Sequence, residues 1–169
     1  GLDYTPDTVK QMVDQGQWVD PTIGHHLLGI EAKARGEIGP MDPHWAVSFK
    51  VVPEADHVET LNKMHDAGVR FTTGLDMGMT YGTHDRSAAN AWAFVETLGW
   101  ANWKAINAAT AGTAEALGLV KQIGSLQAGM FADMAAFAGD PAQNIRDMDQ
   151  ASTVVQSGRL LKLNDMILV

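Results

Sequence analysis

The chain has 169 residues, no cysteine, and 12 Lys+Arg against 20 Asp+Glu, a formal net charge of -8 at pH 7. With 46% hydrophobic residues it can build a core and is too apolar for a disordered segment. The acidic balance without a basic run argues against nucleic acid as a partner, no apolar stretch is long enough for a bilayer span, and the lack of cysteine removes disulfides, thiolate zinc ligands and cysteine nucleophiles together. The length suits one ordinary domain and falls short of a complete (β/α)8 barrel, which needs about 250 residues.

In chain order, the first element reads as a helix opened by Thr5 and Pro6 and closed by Gly16, with Val9, Met12 and Val13 as its apolar stripe. Trp18–Ile23 reads as a strand ending near Pro21. Residues 24–52 are broken by glycine and proline, leaving room for a short helix over 27–34; so long a connection points to a functional or mobile loop. A helix follows from Pro53, buries Val58, Leu61 and Met64 or His65, and stops at Gly68. Val69–Thr73, rich in β-branched and aromatic residues, reads as a strand. A third helix spans about 85–98, and two short alanine-rich helices occupy 102–109 and 111–117. The tail reads as a strand at 132–138, a helical turn at 141–146, and strands at 152–156 and 159–163 joined by a Ser157-Gly158 turn. Strand and helix alternate before an all-β tail, which predicts parallel βαβ units.

Asp76 is the sharpest candidate for chemistry. It follows the predicted end of a parallel strand, where α/β folds bind ligands, although an Asp there can equally cap a helix or fix a turn. His25 and His26 follow the preceding strand on the same side and could contact substrate, move protons, or simply be solvated. Tyr81 and His84 follow Asp76 closely enough to line the same cleft. His57 and His65 read as ordinary residues of one helix, on or near its surface. No His-x-His, serine-nucleophile elbow or phosphate loop occurs. Trp92, Trp100 and Trp103 read as core.

Several stretches resemble one family in order and spacing. Thr73-Gly74-Leu75-Asp76-Met77-Gly78 resembles the Gly-Thr-Asp-Ala-Gly signature of the metal-dependent amidohydrolases. Ala105-Ile106-Asn107-Ala108-Ala109-Thr110 with Ala116-Leu117-Gly118-Leu119 is similar to that family's late helices. Gly124 to Asp133 resembles its Gly-Ser-Ile … Ala-Asp turn and strand, and Ser157-Gly158-Arg159 its late hairpin. Asp66-Ala67-Gly68-Val69 is similar to the lead-in to its eighth strand, and Leu2-Asp3 through Pro21-Thr22 to the stretch around the seventh. The imidazolonepropionase and prolidase-like branch looks nearest.

The resemblance implies an α/β fold: a partial TIM barrel of units seven and eight over residues 1–123, then strands of a small β-sandwich domain over 124–169. It implies the C-terminal part of a hydrolase of carbon–nitrogen bonds in small amides. Asp76 would be both metal ligand and general base and acid, and His25, His26, Tyr81 and His84 substrate contacts. A divalent metal, zinc first, would serve the complete enzyme, while this stretch alone would bind none tightly and would be inactive. Unpaired strand edges imply self-association or association with the missing N-terminal half. A non-catalytic binding or assembly module, or one half of a split enzyme, is the alternative. Leu75 and Met77 depart from the family pattern beside Asp76, either shaping an apolar pocket or marking a diverged relative.

Overall fold

The computed structural model describes residues 5–37, 54–78, 82–164 and 166–168. Helix α1 (Pro6–Asp14) begins at Pro6, whose fixed φ and missing N–H suit the first helical position. Gly16, at φ +65°, turns the chain into strand β1 (Trp18–Val19). Helix α2 (Gly24–Ala34) follows, longer at its start than the sequence suggests. Helix α3 (Glu54–Asp66) ends at Gly68, at φ +99°, and leads into strand β2 (Arg70–Phe71). The two strands pair in parallel, Trp18 opposite Arg70 and Val19 opposite Phe71. Both are much shorter than the expected 18–23 and 69–73. The backbone leaves the ladder once Thr72 N–H has bonded the Val19 carbonyl at 2.9 Å.

The helix expected over 85–98 is split. A 3-10 turn at His84–Arg86 precedes helix α4 (Ala89–Glu96). The two alanine-rich helices are one continuous run: α5 (Asn102–Asn107), a π-helical turn (Ala108–Gly112) and α6 (Thr113–Ala116). Two threonine hydroxyls add hydrogen bonds to backbone carbonyls along this run. Thr113 Oγ1 donates to the Ala108 carbonyl at 2.7 Å and Thr110 Oγ1 to that of Ile106 at 2.8 Å.

The core lies between the short sheet and helices α2 to α5. Trp92, Phe94, Leu61 and Ile23 are essentially fully buried. Phe71 meets Phe94 and Trp100 edge-on, with ring centroids 6.3 and 5.9 Å apart, the geometry that aromatic quadrupoles favour. Trp100 is only partly buried, and Trp103 is 67% exposed. Trp103 therefore does not belong to the core as the sequence reading had it.

The second sheet is antiparallel, in the order β3 (Met134–Phe137), β4 (Ala151–Gln156), β5 (Arg159–Leu163), β6 (Met166–Ile167). The Ser157-Gly158 turn has both residues at positive φ, +51° and +77°, the conformation a tight two-residue hairpin requires. Asp133 Oδ1 accepts the Ser157 N–H at 2.6 Å. Strand β6 was not foreseen. A second 3-10 turn, Ile145–Asp149, precedes β4. From it, Arg146 reaches back to Glu31 on α2 and Glu96 on α4, at 2.5 Å each. Its guanidinium lies 4.4 Å from the centre of the Trp92 ring, with that of Arg86 5.1 Å from the same ring. The Glu96 and Glu31 carboxylates raise the Arg146 pKa further, so it stays charged.

Candidate active site at the strand exits

Because β1 and β2 are parallel, their C-terminal ends open on the same side of the sheet, and the two exits share one backbone feature. Thr22 and Asp76 are both left-handed, at φ +46° and +57°. Residues with a Cβ avoid this region; Asp tolerates it, and a β-branched Thr does so only under constraint. The Asp76 side chain is exposed, and no described side chain hydrogen-bonds its carboxylate. Two residues beyond it, Gly78 N–H donates to the Gly82 carbonyl at 2.8 Å.

The β1 exit is anchored residue by residue. Ile23 is buried at 1% exposure. Gly24 N–H donates to Asn90 Oδ1 at 2.7 Å, a capping bond supplied by a side chain 66 positions away. Asn90 is the buried polar residue among those described, and its Nδ2 has no partner there. Only glycine fits at position 24. An added Cβ would lie 2.6 Å from Leu75 Cδ1 and 2.7 Å from the Asn90 backbone nitrogen. Of the two readings of Leu75, the packing does not favour the apolar pocket: the residue is 3% exposed and belongs to the core. Met77 is exposed.

One residue further on, His25 Nε2 lies 2.9 Å from the Asp76 carbonyl oxygen. A carbonyl only accepts, so Nε2 carries the proton and donates it. The ring fits against Gly82, where a Cβ would stand 2.9 Å from Nδ1 and closer still to Cε1. The structure thus brings His25 and Asp76 together, through the Asp76 backbone rather than its carboxylate.

His26 turns elsewhere, stacking on His57 of α3 with centroids 5.5 Å apart and planes 13° from parallel. Both are half-buried. Burial lowers both pKa values, with the His57 and His25 charges lowering that of His26 further. His84 is exposed in the 3-10 turn, and Tyr81 lies outside the described residues. Asp20 escaped the sequence reading. It follows β1 directly, and its carboxylate occupies the space a Gly74 side chain would take, its Cγ 2.8 Å from that Cβ position. A glycine two residues before the candidate Asp was the one available signal.

Among the described residues, no group of three or more His, Asp or Glu side chains converges as a metal site. A catalytic zinc needs about three protein ligands. Asp76 offers one carboxylate, so these residues do not by themselves hold a catalytic ion. A groove of about 400 Å³ exists, lined by Trp18, His65, Arg70, Trp100 and Lys104 among others, and includes none of the candidate residues. There Arg70 stacks on Trp18 at 4.2 Å and pairs with Glu115 at 2.5 Å.

Known structures share this fold. A Xaa-Pro dipeptidase solved with methionine in its active site superposes with a TM-score of 0.72 at 25% identity, over 94% of this chain and 37% of its own. Molinate hydrolase does so with a TM-score of 0.65 at 25% identity, over 94% and 35%. A. niger ochratoxinase, 24% identical, shares the fold with a TM-score of 0.71 over 94% and 35%. This chain therefore spans well under half the length of these proteins, and the α/β arrangement is consistent with part of a TIM barrel. No curated protein matches in sequence. The model of the amidohydrolase family matches residues 2–161, and the chain belongs to that family.

Proposed function

We propose that this chain works as the C-terminal portion of a metal-dependent hydrolase of carbon–nitrogen bonds in small amides. Residues 1–123 would supply barrel units seven and eight, and residues 124–169 strands of the small β-domain. The observation that carries this reading is the placement of Asp76. It leaves a parallel strand in a left-handed turn, with its carboxylate exposed on the side where such folds bind ligands.

In this reading Asp76 takes a proton from the attacking water and delivers it to the leaving nitrogen, base first and acid second. A divalent metal, zinc first, belongs to the complete enzyme, with Asp76 as one ligand and the others supplied from outside the described residues. Asp20, His84 and Tyr81 are candidate substrate contacts in this reading. His26 is held in its stack on His57. The missing barrel strands, or a second copy of this chain, would cover the open sheet edges.

The test is Asp76→Asn in the complete enzyme. Loss of the proton-transfer group should lower amide hydrolysis by about 10²–10⁴-fold while the thermal unfolding midpoint stays within a few degrees. Hydrolysis at the unsubstituted rate would overturn the reading.

A further inference from the structure

We infer that His25 is a positioning residue for Asp76, and that position 82 is glycine to make room for it. The inference rests on the reading of Asp76 as the proton-transferring carboxylate and deepens it.

Asp76 must hold a left-handed backbone conformation that a non-glycine residue leaves readily when nothing opposes it. A bond to Asp76 itself opposes this, while the Gly78–Gly82 backbone bond lies just beyond it and does not enclose it. The His25 bond to the Asp76 carbonyl ties it to the other strand exit. His25 is itself well anchored. It follows the buried Ile23 and the Gly24 whose N–H is held by Asn90, so its backbone is fixed before its ring is placed. The ring then has Gly82 beside it, where a methyl group would overlap it. Ring and turn fit only while position 82 lacks a side chain. The link runs through the carbonyl of Asp76, so it sets the direction of the carboxylate without occupying it. That distinguishes His25 from a substrate contact.

The experiment uses the complete enzyme that contains this chain. Asp76→Asn, His25→Leu, His25→Gln, Gly82→Ala and the His25→Leu/Gly82→Ala double variant are compared by kcat and KM. The side-chain ¹⁵N spectrum of His25 is recorded alongside. His25→Leu should lower kcat about 10–100-fold, the usual cost of losing a residue that orients a catalytic group, with KM nearly unchanged. His25→Gln, which restores an N–H near the Nε2 position, should recover most of the loss. Gly82→Ala should mimic His25→Leu, and the double variant should be no worse than either single one, because both remove the same bond. The spectrum should show a proton on Nε2 in the parent and altered ring signals in Gly82→Ala.

A full kcat in His25→Leu, a loss confined to KM, a multiplicative double variant, or a His25 protonated only on Nδ1 would overturn the inference. If Asp76→Asn abolishes hydrolysis while His25→Leu does not lower kcat, the inference alone fails. If Asp76→Asn hydrolyses at the parent rate, the functional reading fails and takes the inference with it, even with Nε2 protonated. Should His25→Leu fail to fold, the His25→Gln and Gly82→Ala pair decides.

Discussion

The helical part of the chain and its β tail solve the burial problem differently. From α1 to α6 the described residues bury Trp92, Phe94, Leu61, Ile23 and fourteen other hydrophobic side chains around a two-stranded sheet. From Gly118 to Leu168, Ile145 is the only described residue that is buried. Strands β3 to β6 are well hydrogen-bonded to one another, yet Leu160, Leu163, Met166 and Ile167 remain 38–75% exposed. Backbone pairing alone thus builds a sheet without a core, and a sheet stays marginal until one face is covered. The apolar side chains are present in the tail, while the surface to bury them against is not among the described residues.

The largest expected effect tests whether stability resides in the helical part. Trp92→Ala removes a fully buried ring and should cost about 3–5 kcal/mol in chemical denaturation, whereas Ile167→Ser should stay within about 0.5 kcal/mol. Equal costs would break the comparison. The next effect tests the joint between the two parts. Arg146, 31% exposed, bridges Glu31 and Glu96. Arg146→Met should cost about 2 kcal/mol, between exposed and fully buried pairs. Hydrogen exchange should then rise first at Ile145–Asp149. Uniform protection there would show that the tail is held by other contacts.

Acid should have the smallest effect and act on the helical part alone. His26 and His57 have folded pKa values below the ordinary 6.5, so below about pH 6.5 the unfolded chain binds more protons. Their contribution is complete above that pH and is lost as the pH falls toward the folded values. The melting temperature should decline over that range, and His57→Gln should flatten the decline. An unchanged slope in that variant would place the sensitivity elsewhere.

Local chemistry was legible in the sequence. Pro6 opened α1, Gly16 and Gly68 ended helices in left-handed turns, and Ser157-Gly158 made the hairpin. These features depend on one or two neighbouring residues. Asp76 was found because a strand pattern and flanking glycines located it. Hidden features depended on partners far along the chain. Strand lengths were set by pairing rather than propensity. The π turn merged two expected helices into one run. Arg146 meets Glu31 across 115 positions, and Asn90 meets Gly24 across 66. His25 could be placed beside Asp76 by topology, but its bond to a backbone carbonyl has no signature in residue type.

Thr22 and Asp76 hold the same disfavoured backbone conformation at neighbouring strand exits, each at a cost of roughly 1–2 kcal/mol. Their scope for improvement differs. At position 22 a glycine would relax the chain and leave the Asp76 carboxylate in place, so this strain is open to removal by design. At position 76 the same replacement would relax the turn and delete the carboxylate. One exit therefore carries stability that can be reclaimed, and the other carries a cost tied to the chemistry the chain is proposed to perform.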